Sequence, residues 1–121
     1  MFDLSTEEAR LLLQIALMAV GRNRFQSAAK VLAVLEAFRP DNHSIYVAKL
    51  VMLMSAQDMT GAIRFANEEA LPKFPDSGMI KSFLGLALIR LARKDEAMPV
   101  LAEAAASDDE VAARMARDMM S

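Results

Sequence analysis

His43 is the only histidine in the chain, and there is no cysteine. The side chains that most often hold a catalytic metal or supply a nucleophile are thus reduced to one imidazole. A metal site needs several converging ligands, so a lone histidine at a helix start reads as a turn or surface residue. Adjacent acids occur, among them Glu68-Glu69 and Asp108-Asp109-Glu110. Paired carboxylates catalyse when they face each other across a cleft with separated pKa values; adjacent acids at helix ends read as solvated faces. Gly21, Gly61, Gly78 and Gly85 are isolated, which leaves no glycine-rich loop to cradle a phosphate. The densest basic group, Arg90, Arg93 and Lys94, falls near a helix C-terminus, where cations are favourable without any ligand. The residues therefore predict no enzyme, no metal and no cofactor.

Composition narrows the partners. The 121 residues carry 14 basic and 16 acidic side chains, a formal net charge of -2. No excess of positive charge is available to neutralise phosphates, which argues against nucleic acid and against a membrane surface. The absence of cysteine fits a reducing compartment. Met1-Phe2-Asp3-Leu4-Ser5-Thr6-Glu7-Glu8 lacks the basic and apolar regions of a signal peptide. Its longest apolar run, Ile15 to Val20, is far shorter than the about 20 residues of a spanning helix. A cytoplasmic protein is expected. Hydrophobic residues make up 55% of the chain and ten are methionine, more than a small domain readily buries. Alanine-rich helices account for part of that share, and an apolar binding surface would account for the rest.

The elements that position these residues read as helices throughout. Ser5-Thr6-Glu7-Glu8 is a capping box that starts the first helix, with apolar residues at 9, 12, 13, 16, 17 and 20 up to Gly21. Gly21 and Asn23 suit a left-handed cap. A second helix carries Phe25, Ala28, Leu32 and Leu35 to Pro40. The third runs from about His43 to Ala56, and the fourth from about Thr60 to Leu71, ending before Pro72. Asp76-Ser77-Gly78 opens a fifth. The sixth begins near Lys94, with Pro99 in or just past its first turn, and Ser107-Asp108-Asp109-Glu110 is a second capping box for a seventh helix. No segment alternates as a strand does.

A small residue recurs at Ala28, Ala62 and Ala97, a period of 34 to 35, each time at the start of the second helix of a hairpin. Periods of this length mark helical repeats. With units at about 9–42, 43–77 and 78–111, the chain resembles the tetratricopeptide repeat over nearly its whole length. Phe25, Ala28, Leu32 and Pro40-Asp41-Asn42 carry the first unit, Tyr46 and Ala62 the second, and Leu84-Gly85, Ala97, Leu101 and Ala104 the third. The expected fold is all-α: three tandem hairpins in one domain, capped by a helix at about 108–120. Helices approach closely where side chains are small, so Ala16, Ala28, Ala62, Gly85 and Ala97 are expected at the helix crossings.

The resemblance implies a concave partner-binding groove lined by set positions of each first helix. Here these are Leu13, Leu17 and Val20; Val47, Val51 and Met54; and Met79, Leu86 and Ile89, with Arg10, Ser44 and Ser82 in the same frame. They are mostly apolar, so the expected occupant is an amphipathic or apolar helix, with Met54 and Met79 making the surface adaptable. The alternative is that these side chains pack on one another, on the N-terminal segment or on the seventh helix, or mediate self-association. Short repeat proteins of this kind are similar to the chaperones of bacterial type III secretion systems that hold the needle subunit. This implies a cytoplasmic chaperone that buries the amphipathic helix of a self-polymerising secreted subunit, with a small helical co-chaperone as a second partner. A scaffold or adaptor in another complex is the other reading.

Overall fold

The computed structural model describes residues 4–121; Met1, Phe2 and Asp3 of the N-terminal segment lie outside the described residues. Every regular element among them is a helix, in the order α1 Thr6–Gly21, α2 Phe25–Phe38, α3 His43–Ser55, α4 (59–73), α5 Gly78–Arg90, α6 Lys94–Ala105 and α7 Glu110–Met120. None of these is long and apolar enough to cross a membrane. The chain divides into two compact units, Met1–Ala56 and Gln57–Ser121.

In the first unit, the Ser5 hydroxyl accepts from the Glu8 amide and the Glu8 carboxylate accepts from the Ser5 amide, both at 3.1 Å. The predicted capping box is therefore formed. α1 and α2 make a hairpin and α3 packs on both. Leu4, Ala16, Leu32, Leu35, Ile45 and Ala48 form the core, with Leu12, Leu13, Val31 and Phe38 packed at its edge. Asn42 caps α3 through Oδ1, which accepts from the Ser44 and Ile45 amides. Lys49 on α3 pairs with Glu36 on α2 at 2.6 Å.

In the second unit, α5 and α6 form the hairpin, α7 packs on both, and α4 packs on α5. The Asp58 carboxylate caps α4 at the Gly61 amide, and Ser77 caps α5 at the Ile80 amide. Two local expectations are corrected here. α4 does not stop before Pro72: residues Ala66–Ala70 take π-helical turns and the helix continues through Leu71–Lys73. The widened turn, closed from the Leu71 amide back to the Ala66 carbonyl, relieves the clash that a proline ring makes in a regular helix. Pro99 is the sixth residue of α6, just past its first turn as expected. Ser107 does not open a capping box; its hydroxyl donates to the Ala104 carbonyl at the end of α6. Asp109 is the N-cap of α7, so that helix begins at Glu110.

The turns repeat. Asn23, Gln57 and Ala92 are the three non-glycine residues with positive φ among those described, at 60°, 63° and 59°. Each is followed by a residue of nearly the same conformation, Arg24, Asp58 and Arg93, which precedes the next helix. The Arg24 amide donates to the Ala19 carbonyl and the Arg93 amide to the Leu88 carbonyl, both at 2.8 Å, closing the Schellman geometry that a left-handed residue allows. Gly21, expected to share that role, stays helical. The left-handed residue thus sits five places before each of Ala28, Ala62 and Ala97, and the sequence echo is matched by a backbone echo.

Candidate functional site

The residues expected at helix crossings are all buried. Ala16 and Ala28 in the first hairpin, and Ala62 and Ala97 in the second unit, expose 1% of their surface or less. Gly85 lies against Leu101: a Cβ added there would stand 2.3 Å from the Leu101 Cδ2 atom. A glycine is needed at that point because Leu101 is itself fully enclosed.

The expected groove residues fall into several environments. In the first unit, Leu17 on α1 is 41% exposed, Leu13 is half-buried at the core edge, and Val47 and Val51 on α3 are half-buried. Val20 and Met54, by contrast, are buried and offer almost no surface. In the second unit, Met79, Leu86 and Ile89 are half-buried along α5. Ser82 is fully buried, and its hydroxyl donates to the Ala112 carbonyl at 2.9 Å. That bond places α7 over Ser82, so this position belongs to the packing between helices and not to an open surface.

One cleft in the first unit gathers three residues of the expected frame, Arg10, Leu13 and Ser44. Its volume is about 230 Å³, and its lining is completed by Thr6, Ala9, Leu35, Arg39, Asn42 and Ile45. Leu35 and Ile45 are core residues, so the floor is apolar. The rim is polar and carries two guanidinium groups. Arg39 Nη2 donates to the Leu4 carbonyl at 2.5 Å, which fixes that side chain at the end of α2 and ties down the chain leading into α1. Small-molecule sites usually measure about 300–1,000 Å³, so this cleft is smaller than most of them. Arg39, Thr6 and Asn42 were outside the sequence frame because that frame follows one face of each first helix. Arg39 ends a second helix, and its place before Pro40, at a forced helix stop, is the signal that could have marked it.

Among the described residues no group of three or more histidines, aspartates or glutamates is placed to hold a metal ion. His43 opens α3, Glu68 and Glu69 lie exposed in the π-helical turns, and Asp109 is occupied as a cap. Arg93 of the basic group binds Glu96 through two hydrogen bonds, Nε to Oε2 at 2.6 Å and Nη2 to Oε1 at 2.7 Å. These hydrogen bonds and the attraction of the two charges hold the Glu96 carboxyl below the usual glutamate range and raise the Arg93 guanidinium. The pair is exposed beside the turn at Ala92 and lines an open pocket with Lys94 and Asp95. Compared with known protein families, curated proteins and solved structures, the chain matches none of them.

Proposed function

We propose that this protein is a chaperone built of tetratricopeptide-type hairpins, which holds an apolar or amphipathic helical segment of a protein partner. The reading rests on the cleft of the first unit, which brings Arg10, Leu13 and Ser44 together as a shared repeat frame requires. The thrice-repeated turn at Asn23, Gln57 and Ala92 supports the same frame. An apolar side chain of the partner enters the cleft, and Leu17, Val47 and Val51 extend the contact along α1 and α3. The two guanidinium groups at the rim favour an acidic residue beside that anchor, since arginine pairs with carboxylates in bidentate geometry. Burying a helix that would otherwise template a polymer prevents premature assembly. The needle-subunit chaperones of type III secretion, which the sequence resembles, work in this way, and the reading places the protein in a bacterial cytoplasm.

The test is native co-purification from the host, with mass spectrometry, of wild type, Leu17→Asp and Val51→Asp. One small secreted subunit, retained by wild type and lost from both variants at unchanged helicity, is the expected result. Released from the complex, that subunit should polymerise, which light scattering reads directly. Retention of large stoichiometric neighbours by all three proteins would instead identify a scaffold.

A further inference from the structure

α1 is apolar on two opposite faces. Ala16 and Val20 turn into the core, while Leu11, Ile15 and Met18, spaced i, i+4 and i+7, lie about half a turn away around the helix. They are exposed by 57%, 44% and 58%. The repeat frame explains why such a face exists. Leu11, Ile15 and Met18 stand 69 residues before Ile80, Leu84 and Ala87 of α5, which are all fully buried or nearly so. α5 packs against α4, α6 and α7, whereas within its unit α1 packs against α2 and α3 alone. α1 therefore carries, exposed, an apolar face whose counterpart on α5 is covered.

The charges at the two ends of this face say what covers it. Glu7 and Arg22 continue the same stripe, four residues before Leu11 and four after Met18. Both are exposed, and neither is ion-paired among the described residues. They are about 22 Å apart along the helix, too far to meet each other. A two-fold axis near residues 14 and 15 brings Leu11 opposite Met18, Ile15 beside its own copy, and Glu7 opposite Arg22 at both ends. An isologous interface requires that reciprocity. We infer that α1 is the interface of a homodimer, paired antiparallel with α1 of a second copy through Leu11, Ile15 and Met18 and closed by two Glu7–Arg22 pairs. The apolar stripe measures on the order of 300 Å² per copy, comparable with the largest apolar patch of a typical monomer, which is often functional. Two such stripes bury on the order of 600 Å² together, less than a stable specific interface does, so the dimer is weak and concentration-dependent and relies on the paired charges at its ends for its register.

Sedimentation velocity of the full chain over a concentration series tests this. Wild type should rise from the 13.3 kDa of one chain towards twice that mass. Ile15→Glu should remain a monomer throughout, with unchanged circular dichroism. Glu7→Arg and Arg22→Glu should each weaken association about tenfold, because every substitution acts twice and replaces attraction by repulsion. The double variant E7R/R22E should recover to within about threefold of wild type. Only an antiparallel partner copy allows that rescue, since the two residues cannot meet within one helix. A wild type that stays monomeric at every concentration overturns the inference and leaves the face to another protein. A dimer indifferent to Ile15→Glu, or a double variant no better than either single one, overturns it as well.

Discussion

The first hairpin, α1–α2, and the last, α5–α6, are two versions of one design offset by 69 residues. Ala16 corresponds to Gly85, Leu32 to Leu101, Ala28 to Ala97, Asn23 to Ala92 and Arg24 to Arg93. The large core residues are buried alike in both, Leu32 and Leu101 at 0% exposure. What differs is the surroundings. Ile15 is 44% exposed and its counterpart Leu84 is 2% exposed; both helices pack on the two that follow them, α2 and α3 or α6 and α7, but α5 also packs on α4. An apolar residue at a given repeat position thus acquires its role from the elements that follow or precede it. The same side chain is core in one hairpin and available surface in the other.

The largest expected effect breaks this pair of positions directly. Leu84→Asp places an unpaired carboxylate in a closed core and should destabilise by about 3–5 kcal/mol or prevent folding. Ile15→Asp places the same group at the surface and should cost less than about 1 kcal/mol. Urea unfolding of the two variants measures the difference. Equal losses would mean that α1 is as enclosed as α5.

The next contrast concerns how closely the two helices of a hairpin approach. The α1–α2 crossing accepts the Cβ of Ala16, whereas a Cβ at Gly85 would meet the Leu101 side chain at 2.3 Å. Gly85→Ala asks the last hairpin to adopt the spacing of the first, at a cost of about 1–3 kcal/mol from overpacking. In a Leu101→Ala background the same substitution should be nearly neutral or stabilising, since the obstruction is gone and alanine is the better helix former. A double-mutant cycle by chemical denaturation separates the two effects. Additive losses would show that Gly85 and Leu101 do not constrain each other.

Much of this was legible in the sequence, and the parts that were not share a cause. Helix positions and the small residues at crossings follow from local spacing, so Ser5 with Glu8, the period of Ala28, Ala62 and Ala97, and the glycine at 85 all carry their own signal. The fate of an apolar side chain does not. Leu11, Ile15 and Met18 fall outside the periodic set of α1, and Ser82 reads as a groove position until Ala112 of α7 is seen to cover it. Arg39 enters the cleft from a helix that the repeat frame leaves out. Pro72 looks like a helix stop because the π-helical turns before it depend on the local backbone, which side-chain periodicity does not encode.

A smaller effect is expected at the repeated turns. Ala92 has φ 59° and Asn23 has φ 60°, but asparagine tolerates the left-handed region and alanine does not. Ala92→Gly should therefore stabilise the protein by about 1 kcal/mol, net of the extra freedom glycine gains in the unfolded chain. Asn23→Gly should change stability by only a few tenths of a kcal/mol. Thermal midpoints of the two variants make the comparison. A loss of stability in Ala92→Gly would show that the methyl group contributes more than the strained backbone costs.

The smallest difference lies at the surface, beside those turns. Arg93 and Glu96 pair at 2.6 Å, while the corresponding residues of the first hairpin are Arg24 and Ser27, which lack the carboxylate. Hydrogen bonds from Arg93 depress the Glu96 pKa in the folded protein. A depressed carboxyl stabilises the fold above its ordinary pKa, and that contribution is lost as pH falls through the lowered value. Glu96→Gln should therefore be slightly less stable than wild type at neutral pH, and the gap should close at the acid end of the carboxylate range. The effect should also shrink with added salt, since both side chains are exposed. Ser27→Glu supplies the missing partner to Arg24, whose backbone conformation is close to that of Arg93, and should create the same pH dependence in the first hairpin. Thermal midpoints from neutral to acid pH, for wild type and both variants, decide it. If Ser27→Glu shows no such dependence, the two turns share a backbone but not the side-chain geometry that makes the pair.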